Sequence, residues 1–256
     1  MIDLLILAVV QGIAEFLPIS SSGHLVIIGD WLGELNETPT LEIVLHAGTL
    51  GSILVVFWRK IIRLLTEDRR VIALLVVGTI PAATVGICIK RFLPEILRSP
   101  MLAGGMLMVT GVMLIGLGLL REREGAYQRV SLAAAFLVGC FQAFAILPGI
   151  SRSGSTILGG RLMGLKSEDS VTFSFLLAIP AIAGATILTL FDLWRSVQEG
   201  TPIGHGPVEL IIGASLSFAV GVFALRWLLN WSREDRLHWF AMWCLPAGAI
   251  AMFLCG

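Results

Sequence analysis

Charge is what this sequence has least of. Only 14% of its 256 residues are Asp, Glu, Lys or Arg, against 56% apolar residues, and the mean hydropathy is +0.90. Ordinary soluble domains carry about 25% charge to cover their surface, so a soluble globular fold is excluded. Positive and negative charges balance at 18 each, and no nucleic-acid partner is expected of such a chain. Cysteines are few: Cys88, Cys140, Cys244 and Cys255 lie in or at the ends of apolar runs without metal-type spacing. They read as small core residues, not as a zinc set or a disulfide framework. A basic N-terminal region is also missing. Asp3 stands where a signal peptide carries its positive charge, so no cleavable signal is expected.

What is abundant is long apolar runs. Met101–Leu120 is twenty residues without a charge and Val71–Ile89 is nineteen; Thr172–Leu190, Leu210–Leu225 and His238–Cys255 behave alike, and Ile43–Trp58 is shorter. Runs of about 17–25 residues match the hydrocarbon core at helical rise. Open sheet edges are not viable in lipid, so the expected class is an all-α integral membrane protein. Pro81, Pro94 and Pro180 mark kinks or span ends, and Gly104, Gly105, Gly111, Gly116 and Gly118 suit close helix packing. Trp58, Trp194, Trp227, Trp231, Trp239 and Trp243 fall near span ends, as an interfacial belt does.

Two stretches about 130 residues apart repeat each other. Gln11 to His24 and Gln142 to Ser155 each lead from a Gln-headed apolar helix through a Pro into a Ser/Gly cluster. The first copy adds Glu15 and His24, the second Arg152. The single membrane domain, 1–256, then divides into repeats 1–120 and 131–256. The first has a broken hairpin at 1–33 and spans at 43–58, 71–89 and 101–120; the second has a hairpin at 131–164 and spans at 172–190, 208–229 and 238–255. Single long spans are the alternative for the hairpins, but their short arms and Pro/Gly/Ser breaks fit re-entrant segments better.

Three crossings between the copies place them in opposite orientation, an inverted-topology repeat with six transmembrane helices and two re-entrant hairpins. Lys and Arg crowd the loops on one side, at Arg59, Lys60, Arg63, Arg69, Arg70, Arg121, Arg123, Arg129, Arg161, Lys166, Arg226, Arg233 and Arg236. Only Lys90, Arg91, Arg98 and Arg195 fall on the other. The positive-inside rule makes the first side cytoplasmic, with both termini and the acidic loop of Glu34, Glu37 and Glu42 external. The first hairpin enters from outside and the second from the cytoplasm, so their tips can meet.

The chemistry is expected at those tips. Gln11 and Glu15 are four apart on one helix face. A carboxylate at membrane depth needs a polar cavity and a partner; here it suits a hard cation, Mg²⁺ or Ca²⁺, completed by phosphate oxygens and water. An interfacial or capping Glu is the plainer reading. Ser20, Ser21, Ser22 and Gly23 begin a new helix whose free N–H groups favour an anion, and Ser beside His24 is a minimal nucleophile and base. Helix capping explains one of those serines, not three with a histidine. His46 reads as a packed or supporting histidine. In the second copy Arg152 sits among Ser151, Ser153, Ser155 and Thr156, with Gly149 and Gly154 beside them. Its planar fork suits phosphate, and the glycines allow close approach of backbone.

These motifs resemble those of the bacterial undecaprenyl pyrophosphate phosphatases of the bacitracin-resistance type. That family is marked by a (Glu/Gln)-x-x-x-Glu element, here Gln11 to Glu15, running into Phe-Leu-Pro-x-Ser-Ser-x-Gly-His, here Phe16 to His24. Its second mark is Pro-Gly-x-Ser-Arg-Ser-Gly-x-Thr, here Pro148 to Thr156. The resemblance implies a multi-pass enzyme of the bacterial cytoplasmic membrane, with its site open to the external side. It implies removal of the terminal phosphate of a C55 polyprenyl diphosphate, activation by Mg²⁺ or Ca²⁺, and recycling of the carrier lipid for the cell wall. Many members have Glu where this chain has Gln11, so Glu15 is the sole anionic ligand from its arm. The site residues expected are Glu15, Ser21, His24 and Arg152 in catalysis and Gln11 with Glu15 at the metal. Ser20, Ser22, Gly23, Ser151, Ser153, Gly154 and Thr156 are expected on the substrate. Ser21 with His24 as base is the expected nucleophile, and water activated by His24 the alternative. Membrane lipid surrounds the chain, and a homodimer is left open. The rival from another class is a polyprenyl-phosphate flippase or other transporter, since inverted repeats with broken helices serve transport widely.

Overall fold

The computed structural model describes residues 1–32, 39–198, 206–234 and 236–255. Glu34 and Glu37 of the expected acidic loop lie outside these described residues. The described residues form eleven α-helices and three short 3-10 turns, with no strand beyond one isolated bridge between Gly125 and Leu165. The first half holds α1 (Ile2–Ala14), α2 (Ser21–Leu32), α3 (Pro39–Val56), α4 (Trp58–Thr66), α5 (Arg69–Phe92) and α6 (Pro100–Gly118). The second holds α7 (Leu132–Phe144), α8 (Arg152–Leu162), α9 (Ser167–Gln198), α10 (Pro207–Ser232) and α11 (Ala241–Cys255).

Both expected breaks occur. α1 stops before Pro18 and α2 starts at Ser21; α7 stops before Pro148 and α8 starts at Arg152. Among the described residues, five helical stretches are long and apolar enough to cross a membrane: Arg69–Phe92, Pro100–Gly118, Ser167–Leu188, Val208–Ser232 and Leu237–Cys255. The span expected at 43–58 is shorter, with its apolar run at Ile43–Val56. It stops at Phe57 because Trp58 opens a separate helix, α4, where Arg59, Lys60 and Arg63 interrupt the apolar pattern. Only 17% of the apolar window of α5 is buried, and Val76, Ile80 and Ile87 are each at least half exposed. Apolar surface turned outward on this scale calls for lipid as its solvent, which makes this a multi-pass membrane protein.

Helix pairing follows one plan in the two halves. α1 packs on α10 as α7 packs on α5, and α3 meets α9 while α6 meets α11. Small residues permit the closest crossings: a Cβ on Gly139 of α7 would run into the carbonyl of Gly78 on α5. The main core gathers around Phe16, Phe57 and Phe175 between the first hairpin, α3 and α9. The basic segments collect together as well. Arg70 donates to the Val130 carbonyl, Arg161 to those of Leu120 and Arg121, and Lys60 to the Thr172 hydroxyl, while Arg233 lies 4.0 Å from Glu168.

Candidate active site

The two hairpin tips meet, and each starts its second helix in the same way. The Ser20 hydroxyl accepts the Gly23 N–H at 3.2 Å; the Ser151 hydroxyl accepts the Gly154 N–H at 3.1 Å. Each capping serine also faces the serine two residues on, Ser22 at 3.4 Å and Ser153 at 3.2 Å. The tips are tied across the break: Ser20 donates to the Ile150 carbonyl and Ser153 to the Leu17 carbonyl, both at 3.3 Å. Ser20 and Ser151 are therefore the helix caps, each satisfying an otherwise orphaned N–H. Glycine is required where the tips touch. A Cβ on Gly23 would come within 2.7 Å of the Gly149 Cα, and Gly149, at φ +95°, would collide with the Ala103 carbonyl. Thr110 of α6 clamps the second tip by donating to the Gly149 carbonyl at 2.7 Å and accepting the Ser151 N–H at 3.0 Å.

One residue past each cap, the side chains converge on Glu15. Arg152 Nη2 donates to Oε1 at 2.6 Å, and the Ser21 hydroxyl donates to Oε2 at 2.7 Å. Gln11 Nε2 donates to Oε2 at 3.1 Å, and His46 Nε2 lies 3.6 Å from the same oxygen. The carboxylate is buried, which is tolerable only because a guanidinium neutralises it and three further groups surround it. Arg152 also stacks over the Phe175 ring, 5.8 Å from its centroid, and its Nη1 is buried without a hydrogen-bond partner.

A small cavity opens at this point. It is lined by Ala14, Glu15, Ser20, Ser21, Ser22, Ala145, Ile150, Ser151 and Arg152. Six of the twelve residues expected to carry the site, Gln11, Gly23, His24, Ser153, Gly154 and Thr156, do not line it. Gly23, Ser153 and Gly154 hold the tips together, while the Thr156 hydroxyl bonds to the Arg152 carbonyl and to Ser174 on α9. The expected pairing of Ser21 with His24 is not formed. His24 Nδ1 lies 2.8 Å from the Ser20 carbonyl, and its Nε2 accepts the indole N–H of Trp243 at 2.9 Å. The imidazole is engaged by the Ser20 carbonyl and the Trp243 indole, and Glu15 receives the Ser21 hydroxyl instead. His46 is closer to the site than its place in an apolar helix suggested. The signal in the sequence was a lone imidazole in a span that also carries Thr49 and Ser52.

The donor set fits a hard cation in chemical type. Gln11 Oε1 is buried with no hydrogen-bond partner, four residues from the Glu15 carboxylate, and oxygen ligands of this kind suit Mg²⁺ or Ca²⁺. No cluster of three or more His, Cys, Asp or Glu side chains able to hold a metal occurs among the described residues. A cation here would need further oxygens, from a bound phosphate or water.

Fold and pocket together define a multi-pass helical membrane protein whose polar site, between two broken helices, presents Arg and Ser at helix starts. The chain belongs to the bacitracin resistance protein BacA family, whose model matches residues 4–250. It is 68% identical to an undecaprenyl-diphosphatase of Rhodopirellula baltica, over 99% of this chain and 98% of that one. It is also 36% identical to one from Desulfatibacillum aliphaticivorans, covering 98% and 97% of the two chains. With one from Halothermothrix orenii the identity is 37%, over 98% and 96%.

Proposed function

We propose that the protein hydrolyses undecaprenyl diphosphate to undecaprenyl phosphate and inorganic phosphate. The observation that carries it is Arg152, which lines the cavity with one guanidinium nitrogen on Glu15 and the other buried without a partner. An unpartnered buried donor is costly, and a phosphate oxygen satisfies it bidentately with its neighbour. The N–H groups at the starts of α2 and α8 add to the attraction for an anion.

The polyprenyl tail lies in the bilayer or between spans, and the terminal phosphate occupies the pocket. The Ser21 oxygen attacks that phosphorus; the bond to the bridging oxygen breaks, and the monophosphate leaves. The Ser21 proton passes to Glu15 Oε2, the group it is already bonded to. Arg152, shared with the phosphate, then neutralises Glu15 less, which raises the basicity of the carboxylate as it is needed. Water attacks the phosphoserine, the Ser–O–P bond breaks, and Glu15 returns its proton to Ser21 Oγ. The water's proton leaves on inorganic phosphate. Ser20, Ser22 and Ser151 contribute hydroxyls around the anion. A divalent cation, when bound, is held by Glu15 and the Gln11 amide oxygen, and supplies charge stabilisation to the phosphoryl oxygens.

The membrane is the bacterial cytoplasmic membrane, with the pocket reached from the external side. The gathering of the segments carrying Lys60, Arg70, Arg161 and Arg233 at one end supports a cytoplasmic location for that end, hence the inverted repeat. The deciding experiment is phosphate release from undecaprenyl diphosphate by protein purified in detergent, where vectorial transport cannot occur. Stoichiometric release at catalytic rates is expected. Tight binding of the diphosphate without release would instead assign a transporter.

A further inference from the structure

The two hairpin tips are alike in their caps but differ in backbone. Ser151 is extended, at φ −71°, whereas its counterpart Ser20 has φ +68°, a left-handed conformation that residues with a Cβ rarely adopt. Such strain persists only where the surroundings over-determine it. Around Ser20 they do. Its carbonyl faces His24 Nδ1 at 2.8 Å and accepts the His24 backbone N–H at 3.3 Å. On the far side of the imidazole, Trp243 Nε1 lies 2.9 Å from Nε2, with the two rings within 13° of parallel. In the second tip Ser155 replaces His24, and its hydroxyl is buried with no partner. The strained serine and the braced histidine thus occur in the same copy, the one that carries Ser21.

An indole N–H can only donate and a carbonyl can only accept. The two contacts therefore require one protonation pattern, with the hydrogen on Nδ1 and the lone pair on Nε2. The donor comes from a different half of the chain. Trp243 is the third residue of α11, and the next residue, Cys244, is buried with its sulfur 3.8 Å from the Pro18 carbonyl, so the start of α11 is seated on the first tip. Burial is not what keeps the indole there: Trp243 is 55% exposed.

We propose that Trp243 and His24 are a positioning pair for the nucleophile: the indole fixes the imidazole tautomer, the imidazole holds the Ser20 carbonyl in its left-handed setting, and Ser21 is thereby aimed at Glu15. Neither residue touches the reacting phosphorus. The proposal rests on the phosphatase chemistry above, which makes Ser21 the group to be aimed, and it assigns His24 as a brace in place of the base the sequence suggested.

The test uses the full-length protein in detergent, with Trp243→Phe removing the N–H while keeping a ring, and ¹⁵N-histidine NMR assigned by His24→Gln. Wild-type His24 should show the single Nδ1–H tautomer; in Trp243→Phe only the Ser20 carbonyl is left to favour that form, and the Nε2–H tautomer should appear beside it. Trp243→Phe should lower kcat by roughly 2- to 10-fold, the effect of one neutral hydrogen bond, with KM little changed. In a His24→Gln background the same change should have no further effect. A single Nδ1–H tautomer persisting in Trp243→Phe would overturn the pair. So would a raised KM at constant kcat, which marks contact with the prenyl chain, or a loss that adds fully to that of His24→Gln. Unaltered melting temperature separates these effects from misfolding. Because the tautomer is read without turnover, wild-type protein that fails to release phosphate yet keeps the Nδ1–H form would sink the phosphatase assignment and not the tautomer.

Discussion

Ser21 and Arg152 stand at the same place in their two motifs, one residue after the capping serine, and they meet on the two oxygens of Glu15 at 2.7 and 2.6 Å. Repetition in the chain has produced division of labour at the site, with a hydroxyl from one tip, a guanidinium from the other and a carboxylate between them.

The fork of Arg152 is the first thing to test. Arg152→Lys keeps the charge but cannot hold Glu15 and a phosphate oxygen together. Loss of a charged hydrogen bond corresponds to about 1.5–3 kcal/mol, so kcat/KM should fall about 10- to 100-fold while the protein stays folded. Steady-state phosphate release reads this directly, and turnover close to wild type would remove Arg152 from the phosphate.

Glu15 and Arg152 are a buried pair, and breaking one side strands the other. Glu15→Gln should cost about 3–5 kcal/mol of stability, seen as a lower melting temperature in detergent. Glu15→Gln combined with Arg152→Gln should recover much of that stability and none of the activity. Recovery of activity in the double variant would mean that neither charge takes part in the chemistry.

The unpartnered Gln11 Oε1 leads to a prediction about metal. Gln11→Glu should be tolerated and should lower the Mg²⁺ or Ca²⁺ concentration needed for half-maximal activity, because a carboxylate is the stronger hard-cation ligand. Titration of EDTA-treated protein with each ion measures it. An unchanged requirement would place the ion away from this arm.

Capping and nucleophilic serines should separate cleanly. Ser151→Ala removes a helix cap and should lower stability by about 1 kcal/mol, with turnover reduced only in part. Ser21→Ala caps nothing but takes one of four partners from the Glu15 carboxylate, so it should lower stability by about 1.5–3 kcal/mol while abolishing turnover and any label trapped from substrate labelled at its terminal phosphate. Label persisting in Ser21→Ala would move the nucleophile elsewhere.

Orientation is testable on two exposed glutamates. With the native cysteines replaced, Glu95→Cys, in the turn between α5 and α6, should react with an impermeant thiol reagent on intact cells. Glu124→Cys, among the basic residues before α7, should not. The reverse pattern overturns the orientation, and labelling of both from outside removes the case for an inverted repeat.

Much of this protein could be read in its residues alone. Apolar runs longer than a bilayer core dictate membrane helices whatever surrounds them. The Pro and Ser/Gly clusters dictate where α1 and α7 end, because those residues act on their own backbone. That Glu15 and Arg152 need a polar pocket and partners was equally legible, since charges in such a chain are too costly to leave unpaired. What only the tertiary structure decided is which groups face one another. Ser20 and Ser21 are neighbours of the same type, yet one caps a helix and the other meets Glu15, because the left-handed turn at Ser20 sets their directions. His24 follows a serine cluster, the local pattern of a base, but packing of α11 against the first tip brings Trp243 to it and turns it toward Ser20. His46 and Thr110 reach the tips from α3 and α6, contacts whose sequence separation no local pattern records. Local chemistry follows from local sequence; partnership depends on how the two halves fold against each other.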